Sequence, residues 1–127
     1  MMSINAITGD ILDASMEVHR TLGPGLLESI YEKALKRELE IRGHKVESQI
    51  PVDVKYKGVC VANDLRLDLI VDDCVIVELK SVEDLKDVHY KQLLTYLRLL
   101  DKRVGILVNF NVSLLKNGFH RIVNGFE

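Results

Sequence analysis

Asp68, Glu78 and Lys80 are the residues of this 127-residue chain whose types and spacing could do chemistry together. Glu78 and Lys80 stand two apart in the run Cys74-Val75-Ile76-Val77-Glu78-Leu79-Lys80, so in an extended strand both point to one face while Val77 and Leu79 point to the other. A tight turn at Asp72-Asp73 folds the preceding run back, which lets Asp68 approach Glu78 across the ladder. Two carboxylates held together repel, and burial raises at least one pKa unless a cation offsets the charge, so such a pair suits a metal or acid/base site. Hard oxygen ligands select magnesium or manganese. Lys80 could orient a metal-activated water or stabilise charge developing at a phosphoryl group. The spacing alone also suits an ordinary salt bridge at a solvated strand end, since 28% of the chain is charged and chance matches to Asp followed by Glu-x-Lys are common.

The elements that must position these residues follow from periodicity. Ile4, Ile7, Ile11, Leu12, Val18 and Leu22 recur at mostly helical spacing behind Ser3, a plausible N-cap, and Gly23-Pro24-Gly25 stops that helix. A second helix begins near Leu26, carries Leu27, Ile30, Ala34, Leu35, Leu39 and Ile41, and ends at Gly43, suited to a left-handed C-cap. Over 50–56 the period falls to two, and Pro51 suggests an edge strand. Lys57-Gly58 turns into a strand over 59–71 with an irregular start, and Asp72-Asp73 turns into a third over 74–80. That third strand is apolar on both faces until its end, which places it centrally, covered on both sides. A helix over about 82–100 points Leu85, Val88, Leu93, Tyr96, Leu97 and Leu100 inward; a short apolar strand follows over 104–110, with a further strand over 119–123 in prospect. The order is α-α-β-β-β-α-β: an α/β fold in which one crossover helix joins an antiparallel meander to a fourth strand.

Composition bounds the function more loosely. A chain of 127 residues, 47% of them hydrophobic, suits one compact domain over 1–127 with a single core. With 17 Lys plus Arg against 19 Asp plus Glu, the formal charge of -2 argues modestly against a general nucleic-acid binder, although a carboxylate site lowers the sum while local lysines still face phosphates. Cys60 and Cys74 form no CxxC pair, which disfavours structural zinc. No apolar run approaches the roughly 18 residues of a membrane span, so a cytoplasmic protein with reduced thiols is the expectation.

Further segments sharpen the pattern. The run Gly25-Leu26-Leu27-Glu28-Ser29-Ile30-Tyr31, preceded by Glu17-Val18-His19-Arg20-Thr21-Leu22-Gly23-Pro24, reads GxxExxY and resembles the signature of the GxxExxY family of the PD-(D/E)XK nuclease superfamily. Segments 66–71, 75–80, 92–97 and 104–110 resemble the same family in the same order. The resemblance implies a restriction-endonuclease-like core, a mixed sheet flanked by helices. It makes Asp68 and Glu78 metal ligands beside a backbone carbonyl near Leu79, and Lys80 the catalytic lysine. Glu28 becomes the helix-borne acid. Gln92 and Tyr96, spaced as QxxxY on one helical face, resemble the pair that positions substrate and ligands in recombination-type exonucleases of the superfamily. The position before Asp68 is Leu67 rather than the proline of the superfamily's name.

The expected activity is therefore metal-dependent phosphodiester hydrolysis of nucleic acid, DNA in preference to RNA, with Mg2+ or Mn2+ and a homodimer if both strands of a duplex are cut. Two other classes remain open: a nuclease-fold accessory module acting through a protein partner, and a metal-dependent hydrolase of small phosphorylated substrates. His19 and His89 could contact phosphate, but each more readily satisfies a backbone group. Without the resemblance, Glu28 reads as a first-turn acid favoured by the helix dipole and Tyr31 as a core aromatic.

Overall fold

The computed structural model describes residues 2–125. Helix α1 (Ile4–Leu22) starts where the Ser3 hydroxyl accepts the Ala6 N–H at 3.1 Å, and ends where the Gly23 N–H donates to the His19 carbonyl at 2.8 Å. Helix α2 (Glu28–Ile41) ends at Arg42, followed by Gly43 in the left-handed conformation (φ 93°) that a helix stop requires. Strands β1 (Val46–Tyr56), β2 (Val59–Val71) and β3 (Val75–Lys80) form the antiparallel meander. Helix α3 (Asp87–Leu99) crosses over to β4 (Val104–Asn109), parallel to β3, and β5 (Phe119–Val123) returns antiparallel behind a 3-10 turn at Leu115–Gly118. The sheet order β1-β2-β3-β4-β5 puts β3 at its centre and Pro51 on an edge strand, as the apolar run and the proline require.

Apolar side chains sort into a layer on each face of the sheet. Ile7, Ile11, Tyr31, Leu35 and Leu39 pack from α1 and α2 against Leu69, Val71, Val75, Val77 and Leu79. Leu93, Tyr96 and Leu97 of α3 pack against Ile70, Ile76 and Leu107 on the opposite face. Strand β3 therefore alternates strictly, and Glu78 and Lys80 lie on the α3 face.

Several boundaries differ from the periodicity, among them those of β1, β3 and α3. Strand β1 begins at Val46 rather than residue 50, because Ser48 and Gln49 are polar and Gln49 adopts a left-handed φ of 53°, which hides the alternation upstream. Strand β3 begins at Val75, with Cys74 still in the turn. Helix α3 begins at Asp87 rather than residue 82. Val88 is 62% exposed instead of inward, since at five and nine residues from Leu93 and Leu97 it falls off their stripe.

His44 locks the far end of the fold. Its buried ring places Nδ1 2.6 Å from Asp72 Oδ2 and Nε2 2.8 Å from Asp10 Oδ2. Ionised carboxylates only accept, so both nitrogens must donate and the ring is an imidazolium. Burial opposes that charge, but the hydrogen bonds and charges of Asp72 and Asp10 outweigh it and raise the His44 pKa above the ordinary histidine value.

Candidate active site

The carboxylates meet where β2 and β3 part. Ladder pairs join Val71 to Val75, Ile70 to Ile76 and Leu69 to Val77, and among the described residues no further pair joins these strands, although β3 continues along β4 to Lys80. The gap is bridged by side chains instead. The Asp68 N–H donates to Glu78 Oε1 at 3.2 Å, and the Leu79 N–H donates to Asp68 Oδ2 at 2.9 Å. Each carboxylate thus takes the place of a ladder carbonyl of its own strand, accepting an N–H from the strand opposite.

The parting has a cause in both β1 and β2. Val46 packs with the α1/α2 layer, whereas Ile50 and Val52, of the same parity, pack with the α3 layer. In β2, Leu69 belongs to the α1/α2 layer and Leu67 to the α3 layer. Both strands therefore change faces between the pairs Ser48↔Leu69 and Ile50↔Leu67, at left-handed Gln49 and at Asp68. Beyond that point β1 and β2 leave the sheet as a two-stranded ribbon.

Glu78 is only 6% exposed. Burial first, and the Asp68 charge second, push its carboxyl up to about 9, against the opposing pull of the Lys80 ammonium, so it holds a proton at neutral pH. Lys80 is half-buried on the same face. From α3, Tyr96 is buried against the pair; burial and the Glu78 charge raise its phenol pKa, while the Gln92 side chain donates to its hydroxyl at 3.1 Å. Asp68, Glu78, Lys80 and Tyr96 thus come together, with Gln92 reaching them through Tyr96.

On the α1/α2 face, Glu28 stands exposed at the first turn of α2. One turn deeper lies Glu32, which the sequence reading did not single out. Burial raises its pKa and the neighbouring Asp68 carboxylate adds to the rise, while the Gln49 amide, donating to Glu32 Oε1 at 2.6 Å, opposes it. The spacing four residues after Glu28 was the available signal, because i and i+4 share a helical face.

The GxxExxY segment has a mechanical role. The Tyr31 hydroxyl donates to the Gly23 carbonyl and accepts the Leu26 N–H at 3.1 Å, and its ring stacks on Phe110 at 4.5 Å. This staple holds a turn in which Gly25 takes φ 99°. The turn in turn docks on the segment after Lys80, since Ser81 Oγ donates to the Leu26 carbonyl at 2.7 Å. From the other side, buried Asn109 accepts the Val82 N–H at 3.1 Å and donates to the Val82 carbonyl at 2.9 Å. That clamp holds Val82 in the loop ahead of α3, and it joins residues 27 apart, which local periodicity does not record. Both histidines satisfy backbone groups: His19 Nε2 lies 2.7 Å from the Val112 carbonyl, and His89 Nδ1 accepts the Lys86 N–H at 3.0 Å.

Among the described residues, no three Asp, Glu, His or Cys side chains form a ready-made metal cage. The donor set still fits magnesium, which keeps several of its waters and takes only one or two protein carboxylates. A mixed sheet with this order, split at a carboxylate pair and followed by a lysine on the same face, defines a restriction-endonuclease-like α/β fold. A family model for the PD-(D/E)XK nuclease superfamily matches residues 5–122, and the chain belongs to that superfamily. No curated protein and no solved structure matches the chain significantly. Among the described residues, no helix is long and apolar enough to cross a membrane.

Proposed function

We propose that the chain is a divalent-metal-dependent nuclease of the GxxExxY kind, acting on DNA in preference to RNA. The observation that carries this reading is the interlocked Asp68 and Glu78 pair at the parted strands, with Glu78 buried at a cost that only a bound cation or proton offsets. Asp68 and Glu78 would hold Mg2+ or Mn2+, which when bound supplies an activated water and charge neutralisation at the phosphate. Lys80, on the same face, would orient the attacking water and stabilise negative charge on the phosphoryl oxygens. Tyr96, fixed by Gln92, bounds the site on the α3 side, and Glu28 with Glu32 presents the helix-borne acids on the other.

The test is calorimetric titration of Mg2+ and Mn2+ into the native chain, Asp68→Ala and Glu78→Ala, followed by a fluorescent DNA and RNA cleavage panel with the same proteins and Lys80→Ala. Metal binding lost in both carboxylate variants, with cleavage lost in all three, is the expected result. Absence of metal binding by the native chain overturns the reading and leaves a shared fold; binding without cleavage leaves a metal-dependent binding module.

A further inference from the structure

The ribbon of β1 and β2 beyond the carboxylate pair has no role in the chemistry above, and every residue from Lys55 to Val61 at its tip is exposed. From Ile50 and Leu67 outward the two strands pair only with each other, closing on a tight turn in which Lys57 and Gly58 both take positive φ (49° and 83°). Its base is anchored, with Val52 fully buried and Ile50 and Leu65 packed against the α3 layer. Its tip is not: Tyr56, Val59 and Val61 are each at least 60% exposed. Solvated apolar side chains clustered on a projecting element mark a contact surface.

The ribbon's construction argues against another β-strand as its partner. Pro51 removes a donor from the outer edge, and the register slips twice, between Val52 and Val54 and between Val54 and Lys55. Bulges, proline and edge lysines are how a sheet blocks the addition of a strand. The chemistry of the tip fits nucleic acid better. Residues 54–62 carry Lys55 and Lys57 and no acid, in a chain whose net charge is -2. The Lys57 ammonium lies 5.4 Å from the centre of the Tyr56 ring, placing a cation and an aromatic side by side, as backbone-and-base contacts require. Six residues per strand reach roughly 20 Å, and a two-stranded ribbon fits the major groove of B-form DNA but not the deep, narrow one of A-form RNA. Asp68 sits at the ribbon's root, so the ribbon and the carboxylate pair are continuous along β2.

We infer that the ribbon tip, through Lys55, Tyr56 and Lys57, is a duplex-DNA clamp that enters a groove and presents the backbone to Asp68 and Glu78. This rests on the nuclease reading for the site at its root, but it is tested apart from it. Binding of the full chain to a fluorescent 20-base-pair duplex, a single strand and an RNA duplex of the same sequence is followed by anisotropy in EDTA, where no cleavage occurs. Lys55→Ala/Lys57→Ala should weaken duplex-DNA binding about tenfold or more and lower the slope of log affinity against log salt by about two. Tyr56→Ala should weaken it severalfold with the slope unchanged. Lys116→Ala, exposed on the 3-10 turn, serves as a control that should bind as the native chain does. Urea midpoints should stay at the native value, because the altered side chains are exposed. Native-like binding by the ribbon variants, preference for single strands or RNA, or a dimer that the ribbon variants dissociate would each overturn the inference. If the variants bind duplex normally while the native chain still takes up metal and cleaves, the clamp fails and the nuclease reading stands. If the native chain binds no DNA, the clamp fails, and the metal titration alone decides the other.

Discussion

Glu78→Gln should make the metal-free protein more stable, although it removes a residue of the proposed active site. An unfolded glutamate titrates at 4.5, whereas burial and the Asp68 charge push the folded Glu78 up to about 9. The folded state thus binds the proton more tightly, so the stability that proton confers is fully present below 4.5 and is lost progressively as pH rises through 9. Each pH unit in that window costs about 1.4 kcal/mol, which sets a ceiling of about 3.5 kcal/mol at pH 7. Glutamine keeps an oxygen to accept the Asp68 N–H and has no charge to bury. Urea denaturation in EDTA from pH 5 to 6.5 is the cleanest assay, because the His44 contribution does not decline below its unfolded value of 6.5. Across that interval the native chain should lose about 2 kcal/mol relative to Glu78→Gln; the raised pKa of Glu32 acts in both proteins and cancels in the difference. Saturating magnesium should reverse the order, since a ligand at a hundred times its Kd stabilises only the protein that binds it, by about 2.7 kcal/mol. A native chain whose stability does not fall relative to the variant over this range, together with a destabilised Glu78→Gln, would refute the reasoning. Glu78 would then be an ionised, well-paired structural carboxylate.

Two further outcomes follow from the framework around the site. Tyr31→Phe should cost about 1–3 kcal/mol by leaving the Gly23 carbonyl and Leu26 N–H without their partner; hydrogen exchange should locate the loosening at Leu26, and a native exchange pattern would show the staple to be idle. His44→Ala should destabilise the fold by about 2 kcal/mol below pH 6.5. Because the folded pKa of His44 is raised, the gap to the native chain should narrow as pH climbs through that value, and a gap that widens instead would contradict the imidazolium assignment.

Much of this architecture was legible before folding. The apolar run 75–77 pointed to a central strand, Pro51 to an edge strand and Gly43 to a helix end. Glu78 and Lys80 had to share a face, because that follows from the two-residue repeat alone. Glu32, Gln49 and Asn109 were not legible. Each acts through a neighbour distant in sequence, and local periodicity carries no record of such contacts.

The sequence by itself therefore determined the elements, their order and the face on which Glu78 and Lys80 lie, since these depend on backbone period and on residues that can or cannot be buried. Only the tertiary structure decided that β2 leaves β3 at Asp68, that the two carboxylates exchange backbone N–H groups across the gap, and that the Asp68 charge reaches Glu32 on α2. The reason is physical. Whether two carboxylates share one low-dielectric site depends on angstrom-scale separation and burial, which arise when strands twist apart and helices close over them.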